Sequence, residues 1–399
     1  MLDIWPNLPI HILRMPADEY KASRSHHESN LITALKRTDR ICQIQLKGFS
    51  RPELERVLLG MQKPFPALTS LDIECAEYGA LAVLPQAFLG GSAQHLRSCK
   101  LWGIKFPGIW KLLFTANHLV TLHLWHIPHS MHISPEGMAT CLSTMPNLES
   151  LSIGFQRPEF LHTRPDQPNR LLSPLTRVVL PSLTKLEFLV MGEYIEDFVS
   201  RIDVPLLGKV NITFIDPPVF DTPRLHDFLA RIEKFKPHSR GGVAFWDSSV
   251  EFELEFELGS LLFGIICGEL GRRVSSMAQL CGSSLPLPST LKRLDIRTGS
   301  PIVLLDWQDG VENTQWLDVL HPFTGVTDLR LGKGLALHYA LALRDLAADR
   351  VTEVLPALQH LFVQGRGQSR QIREALKRFA AARKLAGLPV VVHSWDGRS

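Results

Sequence analysis

Hydrophobic positions in this chain recur in a three-point pattern: an apolar residue, a second three positions later, and a third two beyond that. The pattern occurs at Ile41-Ile44-Leu46, Leu68-Leu71-Ile73, Leu96-Cys99-Leu101, Leu119-Leu122-Leu124, Leu148-Leu151-Ile153, Leu183-Leu186-Phe188 and Leu207-Val210-Ile212. It returns at Leu291-Leu294-Ile296, Val326-Leu329-Leu331 and Leu358-Leu361-Val363. Side chains alternate faces along a strand, so the second and third apolar positions of each triplet point together into a core while their neighbours point outward.

The middle positions 44, 71, 99, 122, 151, 186 and 210 lie 27, 28, 23, 29, 35 and 24 residues apart. These periods match or moderately exceed the leucine-rich-repeat range of about 20–29 residues. The expected fold is therefore α/β: a leucine-rich-repeat solenoid with a curved parallel sheet on its concave face and helices and loops on its convex face. Helices are expected where a hydroxyl cap precedes an early proline, whose missing N–H is harmless in a first turn. Ser50-Arg51-Pro52-Glu53, Ser134-Pro135-Glu136 and Thr222-Pro223 each open an apolar helical run this way. Proline also announces strands, as in Pro66-Ala67-Leu68 and Pro146-Asn147-Leu148, because it ends the helix before them.

The pattern predicts an N-terminal flank or cap over 1–40, a repeat array over 41–368 and a C-terminal helix-strand cap over 369–399. Within the array, 215–290 is irregular: Val243–Trp246, Val250–Leu258 and Leu261–Cys267 read as strands and Gly271–Cys281 as a helix. The proline-rich segment 157–174 reads as an inserted surface loop. Arg370–Leu385 reads as an amphipathic basic helix, followed by the strand-like Val390-Val391-Val392.

Charge narrows the function. With 43 basic and 40 acidic side chains the net charge is +3, without the basic excess or run that a nucleic-acid surface usually shows, so no nucleic-acid partner is expected. The six cysteines are scattered and form no Cys-x-x-Cys. They read as reduced thiols of a cytoplasmic or nuclear protein. Neither a signal peptide nor a membrane-length apolar run is visible, so no membrane partner is expected.

Catalytic chemistry is not expected, and neither is a cofactor. His118, His123, His126, His129 and His132 crowd one region, yet they fall on a strand and loop interrupted by Pro128, with no Cys or carboxylate cluster beside them. They read as polar surface side chains, so no metal site is assigned. Gly332-Lys333-Gly334 and Gly365-Arg366-Gly367 are too short for a phosphate loop. No G-x-S-x-G or H-E-x-x-H occurs.

Two surfaces are binding candidates. Around Cys99 and Leu101 the outward residues are Ser98, Lys100 and Trp102; around Leu122 and Leu124 they are Thr121, His123 and Trp125. Trp102 and Trp125 occupy equivalent positions in consecutive repeats, on backbones about 5 Å apart. Paired tryptophans suit a protein-binding hot spot, unless a connecting loop covers them. The second surface is the alternating string Val250–Leu258, which buries Phe252, Leu254, Phe256 and Leu258 and lines up Glu251, Glu253, Glu255 and Glu257. That row is either a solvated face that discourages edge pairing or an acidic stripe for a basic partner. Arg293, Arg297 and Arg330 should share its face farther on.

Several strings resemble a group of F-box/leucine-rich-repeat proteins of mushroom-forming fungi. They are Leu2-Asp3-Ile4-Trp5-Pro6-Asn7-Leu8-Pro9-Ile10, Pro64-Phe65-Pro66-Ala67-Leu68-Thr69, Phe88-Leu89-Gly90-Gly91-Ser92-Ala93, Ile127-Pro128-His129 with Ile133-Ser134-Pro135-Glu136, Glu193-Tyr194-Ile195-Glu196-Asp197, Phe220-Asp221-Thr222-Pro223, and Trp307-Gln308-Asp309 with Glu312-Asn313-Thr314-Gln315-Trp316-Leu317. The resemblance implies a substrate receptor of an SCF-type ubiquitin ligase, with a protein target on the concave face and an N-terminal F-box docking the ligase adaptor. The F-box should lie ahead of Leu2, so adaptor binding is expected only if one is encoded upstream. Without it, the expectation is a standalone interaction scaffold.

Overall fold

The computed structural model describes residues 8–14, 24–75, 81–128, 131–156, 177–215, 222–235, 240–257, 259–284, 288–299, 311–346, 350–365 and 369–396. The opening string Leu2–Asn7, His129, the loop 157–174, Phe220-Asp221, Leu258, Trp307–Asp309 and Arg366-Gly367 lie outside the described residues. The chain forms two compact units, Met1–Val190 with Asp197–Leu207, and Met191–Glu196 with Gly208–Ser399. Both are mixed α/β, with mostly parallel strands joined through helices.

The first unit contains β1 (Ile10–Arg14), α1 (Arg24–Leu35), β2 (Ile41–Phe49), α2 (Arg51–Leu59), β3 (Ser70–Cys75), β4 (Ala82–Val83), β5 (Ser98–Trp102) and β6 (Ile104–Lys105). It continues through α3 (Ile109–Phe114), β7 (Thr121–Ile127), α4 (Pro135–Leu142), β8 (Ser150–Phe155), β9 (Val178–Val179), β10 (Lys185–Val190), and, beyond α5 (Gly192–Ser200), β11 (Ile202–Asp203). Strands β1, β2, β3, β5, β7, β8 and β10 pair side by side and all in parallel. The register sets Ile12, Ile44, Leu71, Cys99, Leu122, Leu151 and Leu186 directly opposite one another, and all are buried. Leu46, Ile73, Leu101, Leu124, Ile153 and Phe188 form a second such row. Each buried Leu or Ile contributes roughly 1.5–3 kcal/mol, which offsets chain entropy only where neighbouring strands complete the burial.

Helix starts follow the caps. The Ser50 N–H donates to Glu53 Oε2 at 3.0 Å, and Ser134 Oγ accepts from the Gly137 N–H at 3.1 Å.

The second unit contains β12 (Lys209–Ile215), α6 (Pro223–Ala230), β13 (Arg240–Phe245), β14 (Ser249–Phe256), β15 (Gly259–Ile266), α7 (Leu270–Gln279), β16 (Arg293–Thr298), α8 (Asn313–Leu320), β17 (Asp328–Leu331), α9 (Ala336–Arg344), β18 (His360–Gln364), α10 (Arg370–Leu385) and β19 (Val391–Trp395). Here the expected all-parallel sheet needs correction. The strand order is β12-β15-β14-β13-β16-β17-β18-β19, and β14 runs antiparallel to both β13 and β15. Only Trp246–Ser248 separate β13 from β14, and only residues 257–258 separate β14 from β15. Such connections permit hairpins but no parallel crossover, which takes a dozen or more residues. The core row nevertheless runs through Val210, Leu261, Leu254, Gly241, Leu294, Leu329 and Leu361, which pair in turn and are buried, and ends at Val392, which pairs with Leu361 but is exposed. Aromatic contacts fasten helices behind it, with Phe245 5.6 Å from Trp316 between ring centroids.

Two further expectations change. Thr222 makes no side-chain cap to α6. Instead the Glu196 carboxylate accepts the N–H groups of Arg224 and Leu225 at 2.9 and 2.8 Å, an anion at the positive end of the helix. Phe256 is half-buried rather than in the core, because the strand ends there. The basic helix falls where expected, but its Arg383 is fully buried and donates to the carbonyls of Val351, Pro356 and Leu358. Of the cysteines, all free, five are buried and Cys42 is half-buried. No helix among the described residues is long and apolar enough to cross a membrane.

Candidate functional site

In the first unit, the face opposite the core rows carries the side chains that alternate with them. Across the strands run Gln45, Asp72, Lys100, His123, Ser152 and Glu187, and one step on Glu74, Trp102 and Trp125. The structure therefore brings Lys100, Trp102, His123 and Trp125 together on β5 and β7. The two indoles stack, with centroids 5.6 Å apart and planes 7° from parallel. His126 stacks on Trp102 at 4.9 Å and His123 on Trp125 at 5.6 Å. Both tryptophans are half-buried and Lys100 is exposed.

Three residues that the sequence reading did not single out hold this stack. The Trp125 indole N–H donates to Ser152 Oγ at 2.6 Å, and Ser152 donates on to Glu187 Oε2 at 3.2 Å, which Lys185 Nζ meets at 3.0 Å. Trp125 lies flat over Gly154, where a Cβ would come within 2.6 Å of the ring. His126 has φ +58°, where the β7–β8 register slips between Leu124 and Ile127. The signal for Gly154 was present in the repeat: it follows the third apolar position, the place that Trp125 holds one repeat earlier.

Electrostatics keep the stack neutral and its rim charged. Burial, aided by Lys100 and Lys185 and opposed by Glu187 and Asp72, pushes the His123 imidazole down to about 4. Burial also lowers His126. Beside them Lys47 Nζ bridges Asp72 and Glu74 at 3.1 and 3.6 Å. The crowded histidines are thus partly stacked rather than simply solvent-facing, with His132 against Phe155 at 4.8 Å. Among the described residues no group of three or more His, Cys, Asp or Glu side chains is placed to hold a metal ion.

Neither a protein-family model nor a curated protein matches the chain.

In the second unit, Glu251, Glu253 and Glu255 line β14 on the face away from Phe252 and Leu254, and Glu257 is exposed just past the strand. Glu251 Oε2 accepts the Trp246 indole N–H at 3.0 Å. Farther along this face Arg240 pairs with Arg293 across β13–β16, Asp295 with Arg330, and Arg330 with Phe362. Arg293 grips Asp295 through two nitrogens, both at 3.2 Å. The Arg330 guanidinium lies 5.1 Å from the ring centroids of both Phe362 and Trp395. Phe362 stacks on His393 at 4.8 Å, and His393 Nε2 shares a 3.2 Å hydrogen bond with His360 Nδ1. Burial, with Arg293 and Arg240 nearby, lowers the proton affinity of Arg330.

Proposed function

We propose that this chain is a leucine-rich-repeat protein that binds another protein through the open face of its first unit, with the Trp102–Trp125 stack as anchor. The single observation carrying this reading is that two stacked indoles sit on a polar sheet face, held by a hydrogen-bond relay instead of by the core. Aromatic side chains offer large contact area at low rotamer cost, and such residues dominate hot spots when a rim of polar groups surrounds them. Here Lys47, Asp72, Glu74, Lys100 and Lys185 form the rim. Nothing in the stack resembles an acid-base pair or activated nucleophile: His123 is neutral over the physiological range, and the buried Cys99 thiol below it is pushed up to about 12.

On the strength of the sequence resemblance, the partner is the substrate of an SCF-type ubiquitin ligase, and this chain is the recognition part of its F-box receptor. The other reading is an interaction scaffold without ligase coupling. A pull-down of the gene's full-length product with purified adaptor separates them: binding, together with an in-frame F-box upstream of Met1, would favour the receptor, and no binding the scaffold. The binding reading itself is tested by Trp102→Ala with Trp125→Ala in target capture from cell extract, paired with thermal melting. Capture should fall about 30-fold or more with the fold intact. Undiminished capture by the folded double variant removes the site.

A further inference from the structure

The second unit carries a side-chain cluster that neither the repeat core nor the tryptophan site uses. We infer that its open face binds an extended peptide segment, whose acidic side chain sits on the Arg330 guanidinium and whose apolar side chain two residues farther on, on the same face, rests against Phe362 and Trp395. This site is separate from the one in the first unit and does not depend on it.

The argument begins with charge. Arg240, Arg293, Arg297 and Arg330 share the face of β13, β16 and β17, where Asp295 and Asp328 are the acids placed among them. Asp295 is already gripped by Arg293, and Asp328 accepts from Thr327 Oγ1 at 2.6 Å. Arg330 is left with Asp295 Oδ1 3.8 Å from its Nε, too far for a hydrogen bond. That Nε is buried without an acceptor. The two flanking rings fix the guanidinium plane, so little rotamer freedom remains to lose when a fork-shaped acceptor arrives.

A carboxylate fits better than a phosphate. One guanidinium matches the two oxygens of a carboxylate, whereas a phosphate carries nearly twice the charge. Asp295 and Asp328 repel the dianion more strongly, and Arg293, already engaged by Asp295, is not free to compensate. Polarity across the strands adds a second constraint. Glu253 on β14 lies three strand positions from Arg330, in the order β14-β13-β16-β17, about 14 Å at roughly 4.8 Å per strand. An extended peptide covers that span in about four residues. The face therefore selects a basic residue about four positions from an acidic one.

The test uses the full chain and the fluorescein-labelled peptide Lys-Ser-Gly-Ser-Glu-Ser-Phe, read by fluorescence anisotropy. Saturable binding is expected, about tenfold or more weaker for the peptide with Gln in place of Glu and weaker for the peptide with phosphoserine at that place. Arg330→Gln should lose a comparable factor and Arg330→Lys most of it, while Trp102→Ala with Trp125→Ala changes nothing. The Glu-to-Gln peptide comparison stands on the unaltered protein even if Arg330→Gln fails to fold. Absence of saturable binding into the millimolar range, or equal binding of the Gln peptide, overturns the site. Tighter binding of the phosphoserine peptide overturns the carboxylate assignment.

Discussion

Gly154→Ala is the sharpest perturbation of the tryptophan stack that leaves the core rows alone. Gly154 has no unusual backbone torsion, so alanine is conformationally allowed on β8, yet its methyl would meet the Trp125 ring at 2.6–2.8 Å. The β8 backbone, paired with β10 at Gly154 and with β7 at Ile153 and Phe155 on either side of it, cannot yield by that much. The half-buried indole can, so it swings off the sheet, losing the hydrogen bond to Ser152 and the parallel contact with Trp102. The hydrogen bond contributes about 1 kcal/mol and the ring pair about 0.5–1.5 kcal/mol. Removing a glycine from the unfolded chain returns about 0.4–1 kcal/mol. The net destabilisation should be about 0.5–2 kcal/mol, small beside the change in site geometry. Near-ultraviolet circular dichroism should show the coupling between the two indoles collapse, matching the spectrum of Trp102→Phe, while the far-ultraviolet spectrum stays unchanged. Target capture should fall along with the coupling. A Gly154→Ala spectrum identical to that of the unaltered protein would refute the packing argument, because it would mean that the ring does not lie on the glycine.

Leu122→Asp puts a lone charge into the first unit's core row at a cost of several kcal/mol, and hydrogen exchange should accelerate first over residues 99–151; unchanged protection there would place Leu122 off the core face. His123 is held near 4 by burial against an ordinary value near 6.5, so the unfolded chain binds the extra proton between these values. Its contribution is intact above about pH 6.5 and is lost as pH falls toward 4; acid unfolding of His123→Phe should accordingly be less steep across that window, and an unaltered slope would contradict the assignment. Arg383→Met strips donors from three carbonyls that α10 serves, which should cost about 3 kcal/mol or more. Exchange should rise over α10 and β19, Arg383→Lys should rescue only part of it, and an unshifted melting temperature would disprove the role.

How far the sequence spoke depended on whether the determinant was local. Period-two alternation and the L-x-x-L-x-L spacing are properties of single strands, so the ladder from Ile44 to Leu186 and that from Leu294 to Leu361 were legible at residue level. Helix starts were legible where the cap lies within the helix, at Ser50 and Ser134. At α6 the cap comes from Glu196, 28 residues before Arg224 in the chain, and local pattern pointed to Thr222 instead. The hairpins β13-β14-β15 were visible as strands, but their order was not, since strand pattern carries no direction. The basic helix Arg370–Leu385 was legible, but the burial of Arg383 within it was not, because its three acceptors lie 25 to 32 residues earlier in the chain.

The site repeats this division. Alternation alone placed Lys100, Trp102, His123 and Trp125 on one face, and equal repeat phase placed the indoles side by side. What holds them came from neighbouring strands in a register that no single strand encodes: Ser152, Gly154 and Glu187. Arg330, Phe362, His393 and Trp395 likewise meet only because three neighbouring strands, β17, β18 and β19, align.

His126 shows where the repeat rule gives way. Gly48, Gly103 and His126 each stand two residues beyond the third apolar position, and all adopt left-handed backbone, with φ of 73°, 67° and 58°. Two of the three strand ends meet this bend with glycine, the residue that bears it without strain. The third uses histidine, at a backbone cost of about 1 kcal/mol, and places its ring on Trp102. A local choice that works against its own repeat calls for a compensating gain. The position is not a core position, and burial disfavours the charged form of its imidazole. What the histidine adds is a third flat ring on the open face, beside the two indoles that would anchor a partner.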